Sequence, residues 1–162
     1  MAIPLHLWLK DSNGADIVGS SKVSGRDGSI EVLSVAHGMS TPVDGHTGRL
    51  MGTRVHRPLC IEKEIDRASP ILYRAIARSE LLGEAILRWY RVDEAGNEVE
   101  YFRMTMTGVR VSSISPRMPN FKDQTKQTQN HTELVELRYS SITWAYLDGN
   151  LIFKDDWNEL PF

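Results

Sequence analysis

Alternation of apolar and polar residues predicts that the chain begins with a half-buried strand. Its apolar side chains, at every second position, are Ile3, Leu5, Leu7 and Leu9. Residues 28–37 predict a second strand in which neither face is strongly polar, so we expect both faces to be covered. A third alternation over 59–65 predicts another short strand.

A stretch without a hydrophobic period separates the second strand from the third. The segment from His37 to Pro58 is rich in Gly, Thr and Arg. Unpatterned loops of this length are uncommon in compact domains and usually have a function or are disordered. We interpret residues 39–55 as an extended arm whose two ends pair as strands.

One segment has the spacing of a helix. Ser69 is a candidate N-cap, Pro70 suits the first helical turn, and Gly83 can end a helix. The apolar face between them consists of Ile71, Leu72, Ala75, Ile76 and Leu82. A helix over 69–82 is therefore predicted, and a single helix of this length cannot form a helical core.

The second half of the chain predicts β-structure with two strands that change face midway. Residues 93–98 predict a hairpin connection after a strand that begins at Ala85. In the following strand the apolar positions switch parity at Gly108, which predicts a bulge or a crossing between sheets. The strand from Glu133 switches in the same way after Ser140 and Ser141. A turn at 148–149 then leads into a last strand.

Together these elements predict a mainly β single domain over 1–162. Strands that change face midway are typical of a closed or strongly coiled sheet. We therefore expect a two-sheet β-barrel, or a tight sandwich, with one flanking α-helix. Residues 117–132 are rich in Gln, Thr and Asn and predict a polar loop.

Composition agrees with a soluble domain made in a reducing compartment. The 162 residues are 41% hydrophobic and 25% charged, and their net charge of −2 does not attract nucleic acid or anionic membranes. No apolar run reaches the roughly 18 residues of a membrane span. The first residues lack the basic and apolar regions of a secretory signal peptide. The single cysteine, Cys60, cannot form an intramolecular disulfide.

Residues suited to metal binding or catalysis are few. No two of the histidines have the close spacing of a zinc site. His37, His46 and His56 can meet only if the arm folds back on itself. The histidines are His6, His37, His46, His56 and His131. The chain has no nucleophile elbow and no phosphate-binding loop, and Glu62 and Glu64 are more typical of a solvated or interface strand face than of a catalytic pair. The sequence predicts no metal site, no cofactor and no catalytic residue.

The arm and the two residues that follow it carry a local cluster of positive charge. Its members are His46, Arg49, Arg54, His56 and Arg57. Nucleic-acid binding would favour interleaved aromatic residues, which the cluster lacks, and a net positive chain. Arginines on an extended arm are suited to pairing with carboxylates of a partner protein, and a second copy of this chain supplies such carboxylates. We therefore favour assembly over nucleic-acid binding.

Short motifs follow one another along almost the entire chain. They are DGHTGR at 44–49, GTRVH at 52–56, KEID at 63–66, SPILY at 69–73, WYR at 89–91, EVEYF at 98–102, ELRYSSITW at 136–144, DGN at 148–150 and DWN at 156–158. In this order they resemble the haemolysin-coregulated protein (Hcp) family, the tube subunits of the bacterial type VI secretion system. Residues 118–130 match this family least.

The resemblance implies a fold like that of phage tail tubes, assembled into hexameric rings that stack as a hollow tube. The expected partners are other copies of the chain, a spike protein of the VgrG type, contractile sheath and baseplate proteins, and small effectors carried in the lumen. Neither nucleic acid nor a membrane is an expected partner. The tube would be made in the bacterial cytoplasm and expelled by sheath contraction, which requires no signal peptide.

The resemblance also suggests roles for particular residues. We expect the arm from Met39 to Val55 to make ring-to-ring contacts through four residues and the lumen wall to include two small residues. The four stacking candidates are His46, Arg49, Arg54 and His56, and the two lumen candidates are Ser34 and Ala36. Because the chain ends at Phe162, no fused toxin domain is expected. The alternatives are a cytoplasmic β-barrel enzyme and a nucleic-acid-binding barrel.

Overall fold

The computed structural model describes residues 3–157, which form twelve strands, one α-helix and one short 3-10 helix. The strands are β1 (Leu5–Asp11), β2 (Asp16–Ile17), β3 (Ile30–Val32), β4 (Ser34–Ala36), β5 (Met39–Ser40), β6 (Val55–His56), β7 (Leu59–Glu64), β8 (Leu82–Val92), β9 (Glu98–Arg117), β10 (Thr132–Arg138), β11 (Ser141–Tyr146) and β12 (Leu151–Asp156). The helix α1 spans Ser69–Ala77, and the 3-10 helix Gln124–Lys126 lies in the loop between β9 and β10.

The paired strands are antiparallel, and all except β5 and β6, which pair only with each other, form two sheets that share β9. The large sheet contains β2, β1, β8, the first half of β9, β11 and β12, with β3 also paired to β1. The small sheet contains the second half of β9, followed by β10, β7 and β4. A mainly β fold with a flanking helix is therefore confirmed.

The predicted closed barrel is wrong, because the strand order within residues 3–157 is an open path from β2 through β1, β8, β9, β10 and β7 to β4. The predicted strand over 28–37 is divided into two pieces of three residues. The first piece, β3, pairs with β1, and the second piece, β4, pairs with β7. Leu33 separates them and donates its N–H to the carbonyl of Glu62 (2.8 Å). The ladder is interrupted where the chain passes from one sheet to the other.

Strand β9 crosses from the large sheet to the small sheet at Gly108. Thr107 pairs with Ser141 of the large sheet, whereas Arg110 pairs with Arg138 of the small sheet. Gly108 has a φ of +61°, and a Cβ atom at this position would collide with the side chain of Ser140. Glycine is favoured there both by the backbone angle and by the close approach. The predicted crossing at Gly108 is confirmed.

The chain crosses between the sheets a second time between β10 and β11. Strand β10 pairs with β7 and β9 in the small sheet, and β11 pairs with β9 and β12 in the large sheet. Tyr139 and Ser140 lie at this crossing, and the Tyr139 side chain is buried. The predicted change of face after Ser140 therefore also marks a passage between sheets.

The hydrophobic core lies between the two sheets and is closed on one side by α1. The large sheet contributes buried side chains from its three central strands, the small sheet from β7 and β10, and the helix from its inner face. They include Leu7, Leu87, Met104, Leu59, Ile61, Val135, Leu137, Leu72 and Ala75. Because these side chains alternate along the strands, the opposite faces of both sheets are free for polar residues.

Helix α1 ends at Ala77, before the predicted residue 82. Ala68 rather than Ser69 is its N-cap, and the chain leaves the helix through Ser79, which has a φ of +50°. Gly83 lies in β8 against the backbone of Asp11, so this glycine permits strand packing and does not end the helix. No helix within residues 3–157 has the length and apolar character needed to cross a membrane.

A buried cluster of charges attaches the start of α1 to the small sheet. The Lys63 side chain is completely buried, and its Nζ lies 2.6 Å from Glu133 Oε1 and 2.9 Å from Asp66 Oδ1. The Ser69 hydroxyl donates to the same Glu133 oxygen (2.6 Å). The KEID and SPILY motifs of the sequence therefore meet at one structural site.

Candidate assembly surfaces

The arm, residues 39–55, is a ribbon whose two ends pair with each other. Strands β5 and β6 pair with Met39 opposite His56, and a bridge between Val43 and Leu50 continues the pairing outwards. The backbone is therefore ordered by its own hydrogen bonds and is not an irregular loop.

The turn at the tip of the arm exposes two of the predicted stacking residues. Asp44 Oδ1 accepts hydrogen bonds from the backbone N–H groups of His46 (2.7 Å) and Thr47 (3.3 Å). These bonds lower the pKa of the Asp44 carboxyl. The Asp44 N–H also donates to the carbonyl of Arg49 (2.8 Å), which closes the turn. The side chains of His46 and Arg49 are both exposed at this point.

Arg54, the third predicted stacking residue, connects the arm to β12 of its own chain. Its Nε and Nη2 atoms donate to the two carboxylate oxygens of Asp155 (2.8 and 2.7 Å), and Nη2 also donates to the carbonyl of Asp156 (2.6 Å). The Arg54 and Asp155 side chains are only 19% and 13% exposed. This two-pronged pair lowers the pKa of Asp155. Arg54 therefore fixes the position of the arm.

His56, the fourth predicted stacking residue, continues this connection into the interior. Its Nε2 lies 2.7 Å from Asp155 Oδ2, and its Nδ1 lies 2.7 Å from the Tyr139 hydroxyl. The same hydroxyl lies 2.6 Å from His37 Nε2. The His56 ring is buried and stacks on Trp144. Burial and the neighbouring His56 lower the pKa of His37.

We call this set of residues the arm latch: Arg54, Asp155, His56, Tyr139 and His37. Two of the three histidines whose meeting depended on folding of the arm do converge, on Tyr139, while His46 lies at the tip. Within residues 3–157, no group of three or more His, Cys, Asp or Glu side chains is arranged to hold a metal ion. In the sequence, Asp155 directly precedes the DWN motif at 156–158, which is the only signal that could have drawn attention to it. Asn158, the last residue of this motif, and Phe162 lie outside the described residues.

Sequence reasoning emphasised the charges of the arm and missed its exposed apolar side chains. Val43, Leu50 and Met51 are 57%, 72% and 54% exposed. Apolar side chains grouped on the surface mark contacts with other molecules. The arm therefore offers an apolar contact surface as well as charge.

Ser34 and Ala36, the two predicted lumen residues, lie on the face of the small sheet that points away from the core. Their partners in the adjacent strand are Glu62 and Cys60, and the Ser34 hydroxyl donates to Glu62 Oε2 (3.1 Å). Burial, followed by the charge of Glu136, raises the pKa of the Cys60 thiol. The register places further members on this polar face: Thr132, Leu134, Glu136, Ser113 and Ser115.

A continuous strand over residues 28–37, as the sequence predicts, would place Ile30 and Val32 on the same face as Ser34 and Ala36. In the structure Ile30 and Val32 are buried, whereas Ser34 and Ala36 are exposed. The two pairs are separated because the chain changes sheets at Leu33.

Both edges of the small sheet are unpaired within the described chain. Strand β4 pairs with β7 on one side, and residues 110–117 of β9 pair with β10 on one side. A groove of about 770 Å³ lies beside β4 and is lined mainly by apolar side chains. Its walls include Ile3, Val32, Leu33, Val35, Trp89 and Val92. Unpaired strand edges are sites at which another chain can add its own strands.

Strand β12 forms an edge of the large sheet and exposes three consecutive apolar side chains. Leu151, Ile152 and Phe153 are each exposed by more than half. Phe153 stacks on Trp144 with 6.0 Å between the ring centroids. This edge is attached to the arm through Asp155, so the apolar strand and the arm are held in one arrangement.

Comparisons with known proteins relate most of the chain to one family. The family model described as the type VI secretion system effector Hcp matches residues 7–146. The chain is also 31% identical over 142 residues to the major exported protein of Pseudomonas aeruginosa, an alignment that covers 88% of this chain and 83% of that protein.

Solved structures show the same relationship. The chain is similar to the Hcp1 protein from the E. coli EAEC 042 pathovar, with 47% identity, a TM-score of 0.87, and coverage of 96% of this chain and 99% of that one. It is also similar in fold to the secreted protein Hcp3 from Pseudomonas aeruginosa, with 23% identity, a TM-score of 0.76 and coverage of 96% and 99%.

Proposed function

The chain belongs to the Hcp family of type VI secretion proteins, and we propose that it is the structural subunit of a secretion tube. In this role its copies close into hexameric rings, and the rings stack into a hollow tube. The observation that carries the proposal is the small sheet, which has one polar face and, among residues 3–157, two different unpaired edges.

Ring closure follows from the difference between the two edges. Joining the β4 edge of one copy to the 110–117 edge of the next gives a heterologous contact, which forms a closed ring when the rotation per subunit permits. The apolar groove beside β4 adds area that is covered by such a contact. The exposed apolar side chains of β12 supply a further surface for the neighbouring subunit.

The polar face of the small sheet is the proposed wall of the lumen. Its other face is covered by the hydrophobic core, so a sheet continued around the ring can present only the polar face to the central space. Ser34 and Ala36 lie on this face, and their small side chains leave room for a passing or retained effector. Glu62 and Glu136 give the same face negative charge.

The arm is the proposed contact between stacked rings, with a division of labour among its four candidate residues. His46 and Arg49 at the exposed tip contact the next ring directly. Arg54 and His56 act as positioning residues, because their side chains are engaged with Asp155 of the same chain. The exposed Leu50 adds apolar contact beside the charges.

We also infer the partners of such a tube. A spike protein of the VgrG type would occupy its end, contractile sheath and baseplate proteins would surround and attach it, and small effectors would travel in its lumen. Export from the bacterial cytoplasm would follow sheath contraction, in keeping with the relative named the major exported protein. The role is structural and not enzymatic.

Negative-stain electron microscopy of the purified protein, with light-scattering mass on the same sample, tests this function. Hollow rings with the mass of six chains are the expected result. A compact monomer at every accessible concentration would overturn the proposal.

A further inference from the structure

The negative charge of Asp155, which Arg54 holds, determines the direction of the hydrogen bonds in the arm latch. Arg54 holds Asp155 as a carboxylate through two charge-assisted bonds, so the Asp155 oxygens accept and do not donate. His56 Nε2, at 2.7 Å from Asp155 Oδ2, must therefore carry a hydrogen. In neutral His56 the other ring nitrogen then accepts, and the donor 2.7 Å away is the Tyr139 hydroxyl.

The inner end of the latch is determined by the single hydrogen of Tyr139. Because this hydrogen is donated to His56, the Tyr139 oxygen can only accept from its other neighbour, His37 Nε2 at 2.6 Å. When both histidines are neutral, each therefore carries its hydrogen on Nε2. The bonds run in one direction from His37 through Tyr139 and His56 to Asp155.

We propose that His37, Tyr139, His56 and Asp155 form a proton relay that accepts one proton and releases the arm when a second is added. The effect of this release on ring stacking rests on the proposed function. The relay itself depends only on contacts within one chain.

The first proton is accommodated by reversing the chain of bonds. It enters at Nδ1 of His37, which is partly exposed, whereas His56 is buried. The Nε2 hydrogen of His37 moves to the Tyr139 oxygen, and the Tyr139 hydrogen moves to Nδ1 of His56. His37 is left neutral with its hydrogen on Nδ1, and His56 becomes an imidazolium beside the Asp155 carboxylate. Each bond retains a donor and an acceptor, and the His56–Asp155 bond becomes charge-assisted on both sides.

A second proton cannot be accommodated in this way. His37 and His56 would both donate to the Tyr139 oxygen, and the Tyr139 hydrogen would have no acceptor in the chain of bonds. Burial and the neighbouring His56 lower the pKa of His37, so this proton is taken up at a pH below the ordinary pKa range of histidine.

The charges around the relay determine what the second proton does. Arg54 donates to Asp155, Arg138 donates to the carbonyl of His56 (3.4 Å), and the Arg57 side chain lies beside Gly38 next to His37. The acidic groups on the facing strand β12 are Asp155 and its neighbour Asp156. The first proton forms the ion pair between His56 and Asp155, but the second adds an imidazolium at His37 beside the His56 imidazolium, with no carboxylate of the relay left to pair it. The resulting repulsion separates the arm from β12.

Nitrogen NMR of the full chain labelled at histidine tests the relay, because it distinguishes the two neutral tautomers from imidazolium. At neutral pH we expect both His37 and His56 to carry hydrogen on Nε2. During acidification His56 should become imidazolium while His37 changes to the Nδ1 tautomer. A His56 ring with hydrogen on Nδ1 at neutral pH would overturn the relay.

Substitution of the central hydroxyl tests the coupling between the two rings. In Tyr139→Phe the change of tautomer at His37 during acidification should be lost, whereas Tyr73→Phe on the exposed side of α1 should behave as the parent. An unchanged tautomer switch in Tyr139→Phe would contradict the proposal. If Tyr139→Phe does not fold, the amide-exchange experiment on His37→Gln decides instead, because glutamine can donate to Tyr139 but cannot take up a proton.

Amide hydrogen exchange across residues 39–57 measures release of the arm. In the parent we expect these amides to exchange about tenfold faster in acid than at neutral pH, after correction for the intrinsic effect of pH. The rest of the chain should not show this acceleration. In His37→Gln this acceleration should be absent, and its persistence would overturn the relay. These measurements do not require tubes, so they test the relay whether or not the proposed function is correct.

Discussion

Lys63 Nζ lies 2.6 Å from Glu133 Oε1, and neither side chain is exposed to solvent. The pair connects β7 to β10, and through Ser69 it also holds the first turn of α1. Glu133 Oε2 has no hydrogen-bond partner within residues 3–157. A buried pair of this kind adds little stability compared with two apolar residues, but removing one partner leaves an uncompensated charge in the interior.

Lys63→Met is therefore expected to lower the free energy of unfolding by about 3–5 kcal/mol. The double variant Lys63→Met/Glu133→Leu should recover most of this loss, because it removes the stranded carboxylate as well. Urea unfolding followed by circular dichroism measures both. Equal losses in the single and double variants would show that packing, and not charge, governs this site.

The sequence motifs around this pair were visible as short strings, but their structural connection was not. The parity of the apolar residues was sufficient to locate the crossings at Gly108 and Ser140, because side-chain direction alternates strictly along a strand. The arm latch was not predictable in this way. Arg54 and Asp155 are 101 positions apart, and no local pattern shows which carboxylate an arginine will meet. The break at Leu33 was missed for a related reason, since alternation continues through it while the hydrogen-bond partners change.

Stability should fall between pH 6.5 and about 4 because of His6. Burial, with a smaller effect from Arg26, lowers the pKa of His6 to about 4. Over this interval the unfolded chain binds a proton at His6 and the folded chain does not, so stability is lost as the pH falls. A shift of this size corresponds to about 3 kcal/mol.

Urea unfolding at several pH values isolates this contribution when the parent is compared with two variants. His6→Gln should show a smaller loss between neutral pH and pH 4, whereas His46→Gln at the exposed arm tip should reproduce the parent. The lowered pKa of His37 contributes a loss of stability in the same direction. The free energy of unfolding of His6→Gln should therefore still fall somewhat as the pH is lowered. An identical slope in the parent and His6→Gln would refute the assignment to His6.

Arg49→Glu and Arg54→Glu should both leave rings intact and block their stacking, for different reasons. Arg49 lies at the exposed tip, so its reversal repels a neighbouring ring directly. Reversal of Arg54 places two carboxylates together at Asp155 and detaches the arm from β12. Electron microscopy under conditions that polymerise the parent measures stacking, and normal tubes from both variants would rule out the arm as the stacking contact.

Amide exchange separates the two mechanisms. In Arg49→Glu the amides of residues 39–57 should be protected against hydrogen exchange as in the parent. In Arg54→Glu their protection factors should fall about tenfold or more. Equal protection in both variants would mean that the Arg54–Asp155 pair does not hold the arm.

Ala36→Trp tests the proposed lumen wall. Ala36 lies on the polar face of the small sheet opposite Cys60, so a large ring there enters the central space without replacing a core side chain. We expect the variant to form rings of unchanged mass and to retain less effector during co-purification. Ala95→Trp, in the exposed hairpin between β8 and β9, is the matched control and should retain effector as the parent does.

The comparison of these two tryptophan variants also distinguishes the lumen from the ring contact. Ala36 is in the edge strand β4, so a tryptophan that pointed towards a neighbouring subunit would dissociate the rings and lower their light-scattering mass. Intact rings that retain less effector would place the side chain in the central space. A residue in that space can contact the effector without disturbing the contacts between subunits. Intact rings with undiminished effector would instead put this face of the small sheet on the outside of the tube.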